Sequence, residues 1–431
     1  MTVTPWGRAD ELRSRKLRPG PGASRDEVRA NQRERLFGAM VAAVAEHGYE
    51  KTRVADLLEL SGVSRNTFYK HFENKQACFL ATVDAIVEVG GRRLMEAILG
   101  GEHAARWDER LATGLDLLID LIVEHPAAAR LYYVETYAAG PEAIDKVERI
   151  GDRLEELAKR VLDESPDHAD MPRDLLRAIL KGVRRIIQTR LRTGRERDLL
   201  AEGPQLLRWA MTYRTPPVRL KRPRRPPALE FDVPSRAGDE PRQRVLDAVI
   251  ELMSEKGYRS LTITDIAQRA AISLTTFYAE FDSKEEAVVA AMRRGAERVV
   301  DAVAPAYRGA EDWPHAVAAG LSAFFAYLVL EQPFARFGGV GAQSGSPLVV
   351  GVRDQLVASA HEFLGEGYRR HPGAEPIAGE AIGATIDALI FDQLLSDRPT
   401  RLYELAPTAT YVALVPFVGT EQACAIANSS R

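Results

Sequence analysis

The amino-acid sequence predicts an all-α protein made of two matching halves, and three observations support this. A pattern from Gly48 to Lys75 returns from Gly257 to Lys284, at a constant offset of 209 residues. Apolar residues recur at helical rather than alternating spacing through both halves. The motif Glu124-His125-Pro126 returns as Glu331-Gln332-Pro333, so the repeat extends beyond the first pattern.

Length and composition restrict the class of protein. With 431 residues, the chain is long enough for several domains that each bury a core. A hydrophobic fraction of 45% and a charged fraction of 28% are typical of a globular protein. We expect a cytoplasmic protein with no signal peptide and no stretch that approaches the roughly 18 uncharged apolar residues of a membrane span. Two cysteines, Cys78 and Cys424, predict neither a disulfide framework nor a metal cluster.

The N-terminal region predicts an arm followed by three helices. Residues 1–24 are rich in proline, glycine and arginine, so we expect a flexible basic arm. The apolar stripe that follows predicts a helix that Gly48 ends in a left-handed conformation. Ser64 is a favourable N-cap for the last helix, because its hydroxyl can accept an unsatisfied backbone N–H. The three helices form a predicted helix-turn-helix domain at 25–76 (head 1) and span about 25–47, 54–60 and 65–72.

The last helix of head 1 has one apolar and one polar face. Phe68 and Phe72 lie four residues apart and are expected to pack inward. In a helix-turn-helix this helix enters the major groove, where polar side chains reach base edges and phosphates. The side chains left facing outward are Arg65, Asn66, Thr67, Tyr69, Lys70 and His71.

A second helix-turn-helix domain is predicted at 241–285 (head 2), with a different polar face. Ser273 is the equivalent N-cap. The positions of Arg65, Lys70 and His71 are occupied by Leu274, Ala279 and Glu280, which removes base-capable donors and adds a charge that phosphate repels. Three interpretations of head 2 stay open: weak binding, recognition of a different sequence, or a role as scaffold only.

Turn chemistry and charge also distinguish the two heads. Ala271 replaces the turn glycine Gly62, and a left-handed alanine costs on the order of 1 kcal/mol. Residues 1–76 carry fourteen basic against ten acidic side chains, whereas residues 240–284 carry six against seven. Head 1 therefore has the charge expected for phosphate binding, and head 2 does not.

Long helical patterns follow each head. The predicted bodies cover 77–213 and 286–431, joined by a linker at 214–240 that is rich in proline and arginine. We expect an intramolecular four-helix interface between about 172–213 and 376–416. The predicted helices of the first body are about 75–100, 108–124, 126–138, 142–163, 172–195 and 199–213, and those of the second are about 284–306, 312–331, 347–371, 376–396 and 401–416.

Both heads resemble the signature of TetR-family one-component regulators. The resemblance implies an all-helical fold, with a DNA-binding head and a larger helical body that binds a small effector. The family normally acts as a homodimer that releases its operator when the ligand binds. This chain resembles the single-chain, two-repeat members, so we expect an intramolecular pseudo-dimer, present as a monomer or as a homodimer. The signature residues are Ser64, Thr67, Phe68, Tyr69, Phe72 and Lys75 in head 1 and Ser273, Thr276, Phe277, Tyr278, Phe281 and Lys284 in head 2.

By motif position, the resemblance also implies which residues contact DNA. Lys75 is expected to meet a phosphate, and Thr52 matches the family's phosphate-contacting threonine. A bundle of the same shape that never meets DNA is the alternative for either head. The implied residues are Thr52, Ser64, Arg65, Asn66, Thr67, Tyr69, Lys70, His71 and Lys75 in head 1, and Thr262, Ser273, Thr275, Thr276, Tyr278 and Lys284 in head 2.

Aromatic side chains in the bodies are candidates for an effector pocket, although most aromatic residues at helical spacing belong to the core. We find no paired carboxylates, metal-ligand spacing, phosphate-binding glycine loop or nucleophile elbow. We therefore expect no enzyme, no metal and no cofactor. The pocket candidates are Trp107, Tyr133, Tyr137, Phe325 and Phe337.

These expectations combine into one functional hypothesis and one alternative. The hypothesis is a repressor that binds double-stranded DNA, reads an asymmetric operator with two non-equivalent heads, and is released by a small apolar effector. No membrane partner is expected. The alternative is a ligand- or partner-sensing protein in which only head 1 binds DNA and head 2 is scaffold.

Overall fold

The computed structural model describes residues 2–17, 23–99, 106–226, 240–396 and 399–429. Parts of the expected arm (18–22) and of the expected linker (227–239) lie outside the described residues. The chain forms two compact units. Unit 1 comprises Met1–Pro166 and Ile187–Leu207, and unit 2 comprises Asp167–Ile186 and Arg208–Arg431. Helices dominate both, which confirms the predicted all-α class.

The first half begins with two short antiparallel strands and continues with ten helices among the described residues. Helix α1 contains Gly48 at φ 74°, so the glycine breaks the helix where the sequence predicts its end. The predicted helix at 126–138 is divided into α6 and α7. The elements are β1 Val3–Thr4, β2 Gly7–Arg8, α1 Arg25–Lys51, α2 Val54–Ser61, α3 Arg65–His71, α4 Lys75–Leu99, α5 Trp107–Glu124, α6 Pro126–Tyr133, α7 Thr136–Ala139, α8 Pro141–Leu162, α9 Arg173–Arg192 and α10 Leu199–Met211.

The N-terminal segment differs from the flexible arm that its composition predicts. Strands β1 and β2 pair as a hairpin, with Thr4 opposite Gly7. Leu12 is fully buried in the core of head 1, and the ring of Trp6 lies 5.3 Å from that of Phe37. Burial of these apolar side chains offsets the entropy of ordering the segment. Residues 2–17 therefore form part of the folded head.

The second half repeats the plan with eleven helices among its described residues. Gly257 breaks α11 at φ 70°, as Gly48 breaks α1. Two helices, α16 and α21, have no counterpart in the sequence-based prediction. The elements are α11 Pro241–Ser260, α12 Ile263–Arg269, α13 Leu274–Glu280, α14 Lys284–Arg308, α15 Trp313–Leu330, α16 Gln332–Gly339, α17 Pro347–Ser359, α18 Gly365–Arg370, α19 Ala378–Leu395, α20 Ala406–Val418 and α21 Thr420–Ser429.

Unit 2 contains segments from the first half of the chain. The beginning of α9 packs on α19 so closely that a Cβ on Gly182 would overlap Thr385. Lys181 Nζ lies 2.7 Å from the carboxylate of Asp392. The hydroxyl of the buried Tyr213 donates to the carbonyl of Val412 at 2.8 Å. These contacts join the segments 172–213 and 376–416 that the sequence analysis expects to meet.

The described part of the linker, 214–226, lies along the last helices of unit 2. The hydroxyl of Tyr411 donates to the carbonyl of Arg214 at 2.8 Å. The backbone N–H of Lys221 donates to the side-chain oxygen of Asn428 at 2.7 Å. The hydroxyl of Tyr403 donates to the carbonyl of Arg224 at 3.2 Å. The basic linker is thus bound to the body by hydrogen bonds.

Helix α15 (Trp313–Leu330) is long and apolar enough to cross a membrane, contrary to the expectation that no stretch approaches that length. Its 18 residues contain no Asp, Glu, Lys or Arg. However, 61% of them are buried inside the fold, so the composition is accounted for by core packing.

The turn of head 2 carries the backbone strain that its sequence predicts. Ala271 has φ 52°, whereas Gly62 in head 1 has φ 63°. We expect Ala271→Gly to raise stability by about 1 kcal/mol, because glycine adopts left-handed conformations without the Cβ penalty. The reciprocal change, Gly62→Ala, should lower stability by at least about 1 kcal/mol, because the new Cβ would also meet Arg13. Urea unfolding of both variants beside the parent protein checks this, and a lower midpoint for Ala271→Gly would contradict it.

Candidate nucleic-acid interface and apolar cavity

Helix α3 of head 1 is oriented by an N-cap and two phenylalanines. The hydroxyl of Ser64 accepts the backbone N–H of Thr67 at 3.2 Å, which satisfies one donor at the helix start. Phe68 and Phe72 are buried, with ring centroids 5.8 Å apart. The opposite face of α3 is consequently turned to solvent, as the spacing predicts.

The outward face of α3 carries the predicted polar side chains. Those of Ser64, Arg65, Asn66, Tyr69 and Lys70 are exposed, while Thr67 is half-buried beside the cap. The guanidinium of Arg65 lies 5.9 Å from the ring centroid of Tyr69. Tyr69 is 47% exposed, and one edge of its ring packs against Phe68. This face combines donors and an aromatic ring that base edges and phosphates can meet.

His71, at the end of α3, is half-buried and belongs partly to the fold. Its Nε2 lies 2.9 Å from the side-chain oxygen of Gln32. Burial lowers the pKa of His71, and the nearby charges of Arg33 and Arg29 lower it further. Both effects favour the neutral imidazole, which can still donate or accept a hydrogen bond.

Lys75 and Thr52 are turned towards the protein. The ammonium of Lys75 donates to the carbonyls of Tyr49 at 2.7 Å and of Thr52 at 3.0 Å. Burial of the ammonium lowers the pKa of Lys75. Thr52 is 2% exposed, and its hydroxyl donates to the carbonyl of Gly48 at 2.8 Å. Lys75 thus joins the start of α4 to the end of α1, and Thr52 closes the last turn of α1. These contacts within the protein differ from the phosphate contacts that the motif implies.

Head 2 reproduces this local geometry. Ser273 caps α13 through the N–H of Thr276 at 3.0 Å, and Phe277 and Phe281 are buried with centroids 5.9 Å apart. Thr275 and Tyr278 are exposed and Thr276 is half-buried. Lys284 donates to the carbonyls of Tyr258 and Leu261, as Lys75 does in head 1.

Thr262 occupies a different position from Thr52. It is the N-cap of α12, where its hydroxyl accepts the N–H of Asp265 at 3.1 Å. At the constant offset of 209 residues, Thr262 corresponds to Arg53, whereas Leu261 corresponds to Thr52. The expected equivalence of Thr52 and Thr262 is therefore wrong by one residue.

The basic side chains of head 2 are engaged by other groups of the protein, mainly carboxylates and backbone carbonyls. Lys256 lies 2.6 Å from the carboxylate of Asp265, and hydrogen bonds from Lys256 and Thr262 lower the pKa of Asp265 to about 2. Arg269 pairs with Glu255 at 2.8 Å and with Glu251 at 2.9 Å. The remaining basic residues of 241–284 also have partners: Arg242, Arg244, Arg259 and Lys284.

Head 1 has the opposite arrangement. Most of its basic side chains are exposed and form no ion pair and no side-chain hydrogen bond with any residue of the described ranges. Over residues 1–76 the basic side chains outnumber the acidic ones by fourteen to ten, so this region carries a net positive charge. The cations are Arg25, Arg29, Arg33, Lys51, Arg53, Arg65 and Lys70.

The second body encloses a cavity of about 300 Å³ with a largely apolar wall. Helices α14, α15, α16, α17 and α19 supply most of the lining. Phe324 and Phe334 contribute aromatic rings, and Gly383 and Ala296 also line the cavity. A volume of this size is at the lower end of the range for small-molecule sites.

One part of the cavity wall is charged. Arg353 and Asp387 line the cavity and form an ion pair, and Arg185 Nη2 lies 2.8 Å from Asp387 Oδ2. Burial alone would raise the pKa of Asp387, but the charges and hydrogen bonds of Arg353 and Arg185 outweigh it, so the pKa lies below its usual value. Removal of one partner from such a buried cluster costs about 3 to 5 kcal/mol.

The aromatic residues expected in a pocket do not line this cavity. Phe325 and Phe337 are fully buried in core clusters, and their neighbours Phe324 and Phe334 face the cavity instead. In the first body, Tyr133 is buried, whereas Trp107 and Tyr137 are half-buried. Helical spacing alone could not decide which of two adjacent rings faces inward.

We expect Lys75→Met to destabilise the protein by about 1 to 3 kcal/mol, because it leaves the backbone carbonyls of Tyr49, Glu50 and Thr52 without their charged donor. Lys70→Met, which removes an exposed ammonium on α3, should change stability by less than about 0.5 kcal/mol. Thermal unfolding followed by circular dichroism compares the two variants. Equal midpoints would mean that Lys75 does not hold α1 and α4 together.

Two segments of the chain, 39–82 and 245–291, match the family described as bacterial regulatory proteins, tetR family. Over 70 residues the chain is 39% identical to the HTH-type transcriptional repressor KstR of Rhodococcus jostii, a match that covers 16% of this chain and 33% of that protein. It is 29% identical over 189 residues to the HTH-type transcriptional repressor Rv1474c of Mycobacterium tuberculosis, covering 42% of this chain and 92% of that protein. The chain thus spans only about a third of the length of the first relative.

Among solved structures, the fatty acid degradation regulator FadR from Bacillus halodurans is 19% identical, with a TM-score of 0.36. The match covers 41% of this chain and 96% of that chain. The two family segments fall on α1–α4 and on α11–α14, the helices that build head 1 and head 2. One segment in each head is thus similar to the same domain of the bacterial regulatory proteins of the tetR family.

Proposed function

We propose that the protein is a cytoplasmic, sequence-specific DNA-binding regulator of transcription that acts as a repressor. The exposed polar face of α3 reads base edges in the major groove, and the unpaired cations of head 1 bind phosphates. Head 2 presents a second, less basic face through Thr275 and Tyr278. With two unlike heads in one chain, the preferred operator is asymmetric, since identical half-sites suit only identical heads.

The observation that carries this proposal is the set of unpaired cations around α3. Neutralisation of phosphates by such side chains supplies most of the affinity of a protein for DNA. Arg65 and Lys70 stand on the face that Phe68 and Phe72 orient outward. Ion pairs within a head would make this affinity weaker, because phosphate would have to displace a carboxylate.

The ion pairs of head 2 favour a second candidate function, in which this head does not bind DNA. Its cations are engaged by Asp265, Glu251 and Glu255, and by Glu280 on the recognition helix itself. Head 2 would then support head 1 or contact a partner without binding DNA. The chain would be a regulator with a single reading head.

Alanine variants of the two recognition helices separate these candidates. We expect Arg65→Ala with Lys70→Ala to weaken binding to DNA flanking the gene by about tenfold or more, since each lost base or phosphate contact costs about 1 to 3 kcal/mol. The matched pair in head 2 is Thr275→Ala with Tyr278→Ala.

Footprinting of the wild type and both double variants gives the readout. Protection of two adjacent half-sites, one lost in each variant, supports two reading heads. Protection that only the head 1 variant loses supports the single reading head. Full protection with both variants would contradict a DNA-binding role for either helix.

We also propose that a small apolar effector occupies the cavity of the second body and releases the DNA. The apolar wall suits a hydrophobic molecule, and the single charged region suits one hydrogen-bonding group at its end. Release requires that the effector binds one conformation of the protein better than the other.

We expect Ala296→Phe to fill the cavity and weaken binding of the neutral fluorescent probe N-phenyl-1-naphthylamine by at least about tenfold, a loss of about 1.4 kcal/mol. Ala201→Phe, at an exposed position on α10, is the matched control and should bind the probe as the wild type does. Fluorescence titration measures both affinities. Equal probe affinity in the two variants would place the ligand site outside this cavity.

A further inference from the structure

We propose that the N-terminal hairpin segment, residues 2–17, is part of the DNA-binding surface of head 1 and presents Arg13 and Lys16 to the phosphate backbone. This inference rests on the proposed function. It adds a second contact surface for DNA, which lies outside the helix-turn-helix and contains none of the signature residues of the heads.

The segment is held on α1 by close packing. A Cβ on Gly38 would lie 2.8 Å from Leu12 Cδ2 and 3.2 Å from Thr4 Oγ1, so only glycine allows this approach. Leu12 and Thr4 are buried at 0% and 2% exposure. The segment therefore has a defined position, unlike a mobile arm whose cations would be spread over many conformations.

A second attachment fixes the backbone on both sides of Lys16. The side-chain amide of Asn31 donates to the carbonyl of Arg15 at 3.1 Å and accepts the N–H of Leu17 at 3.2 Å. Lys16 itself is exposed. Its ammonium consequently projects from a backbone that is anchored to α1.

Arg13 is placed at the turn of the helix-turn-helix. Its Cγ lies 2.7 Å from the position that a Cβ on Gly62 would occupy, so its aliphatic stem covers the turn glycine. Gly62 comes two residues before Ser64, the N-cap of α3. In a helix-turn-helix the residues around the start of the recognition helix approach the DNA backbone. Arg13 is exposed, and its stem lies beside that region.

The cations of the segment divide into two groups. Arg8 is engaged by Asp10 and Glu11, and Arg15 donates to the carbonyl of Trp6. Arg13 and Lys16, in contrast, form no ion pair with any of the described residues. Two basic residues thus stabilise the hairpin, and two remain available for an anionic partner. The phosphate backbone of a duplex bound to α3 is the partner that fits this position.

The test compares the salt dependence of duplex binding in matched variants. The double variant Arg13→Gln with Lys16→Gln replaces only exposed side chains and should keep its fold. Affinity for a fluorescently labelled duplex of mixed sequence is measured by anisotropy between about 50 and 200 mM salt. We expect the slope of log affinity against log salt to become shallower by about 0.9 for each lost phosphate contact.

Two further variants decide the origin of any effect. Arg92→Gln with Arg93→Gln, on α4, makes the same change in net charge outside the hairpin segment. Because these two arginines pair with Glu88 and Glu124, the slope should stay unchanged. Leu12→Ala keeps both cations but loosens the docked segment, and it should also make the slope shallower.

An unchanged slope in the Arg13 and Lys16 variant would overturn the inference while leaving the proposed function intact. An equal loss in the α4 control would also overturn it, since the effect would then be one of net charge. Retention of the full slope by Leu12→Ala would show that docking does not position the cations. Absence of duplex binding by the wild type would instead overturn the proposed function.

Discussion

Burial of two phenylalanines one helical turn apart determines what each head can do. Phe68 with Phe72, and Phe277 with Phe281, fix the rotation of α3 and α13 about their axes. All other features of the interface follow from that rotation, because it decides which side chains face solvent. The serine N-caps fix where each helix begins. The recognition helices α3 and α13 therefore share one cap and one buried pair, and they differ mainly in the side chains on their exposed faces.

That difference lies in how charges are satisfied. In head 1 the cations face solvent, whereas head 2 pairs them with carboxylates of α11 and α12. Head 2 contains local ion pairs, each worth little on the surface, and lacks the net positive charge that attracts a polyanion. Both heads thus have the helix-turn-helix fold, and the charges on the surface of that fold can change without altering it.

The heads were predictable because their signals are local in sequence. Gly48, Ser64 and the spacing of Phe68 and Phe72 each act within a few residues. The features that the sequence does not predict depend on residues far apart in the chain. These are the packing of Leu12 against Gly38, and the hydrogen bonds from Lys75 to carbonyls more than twenty residues away. Helix α16 was missed because its glycines disfavour a helix. Gly339 is explained by its close approach to Leu394, which no local pattern reveals.

The inclusion of residues 167–186 in unit 2 has a consequence for how the chain can be divided. The boundary between the repeats in sequence is the linker, but the boundary in packing lies within α9. A fragment cut at the linker would leave Asp387 buried without Arg185, and Thr385 facing an empty groove where Gly182 had been. The two sequence repeats therefore do not coincide with the two packing units, and a second repeat without residues 167–186 would lack part of the surface that covers its own α19.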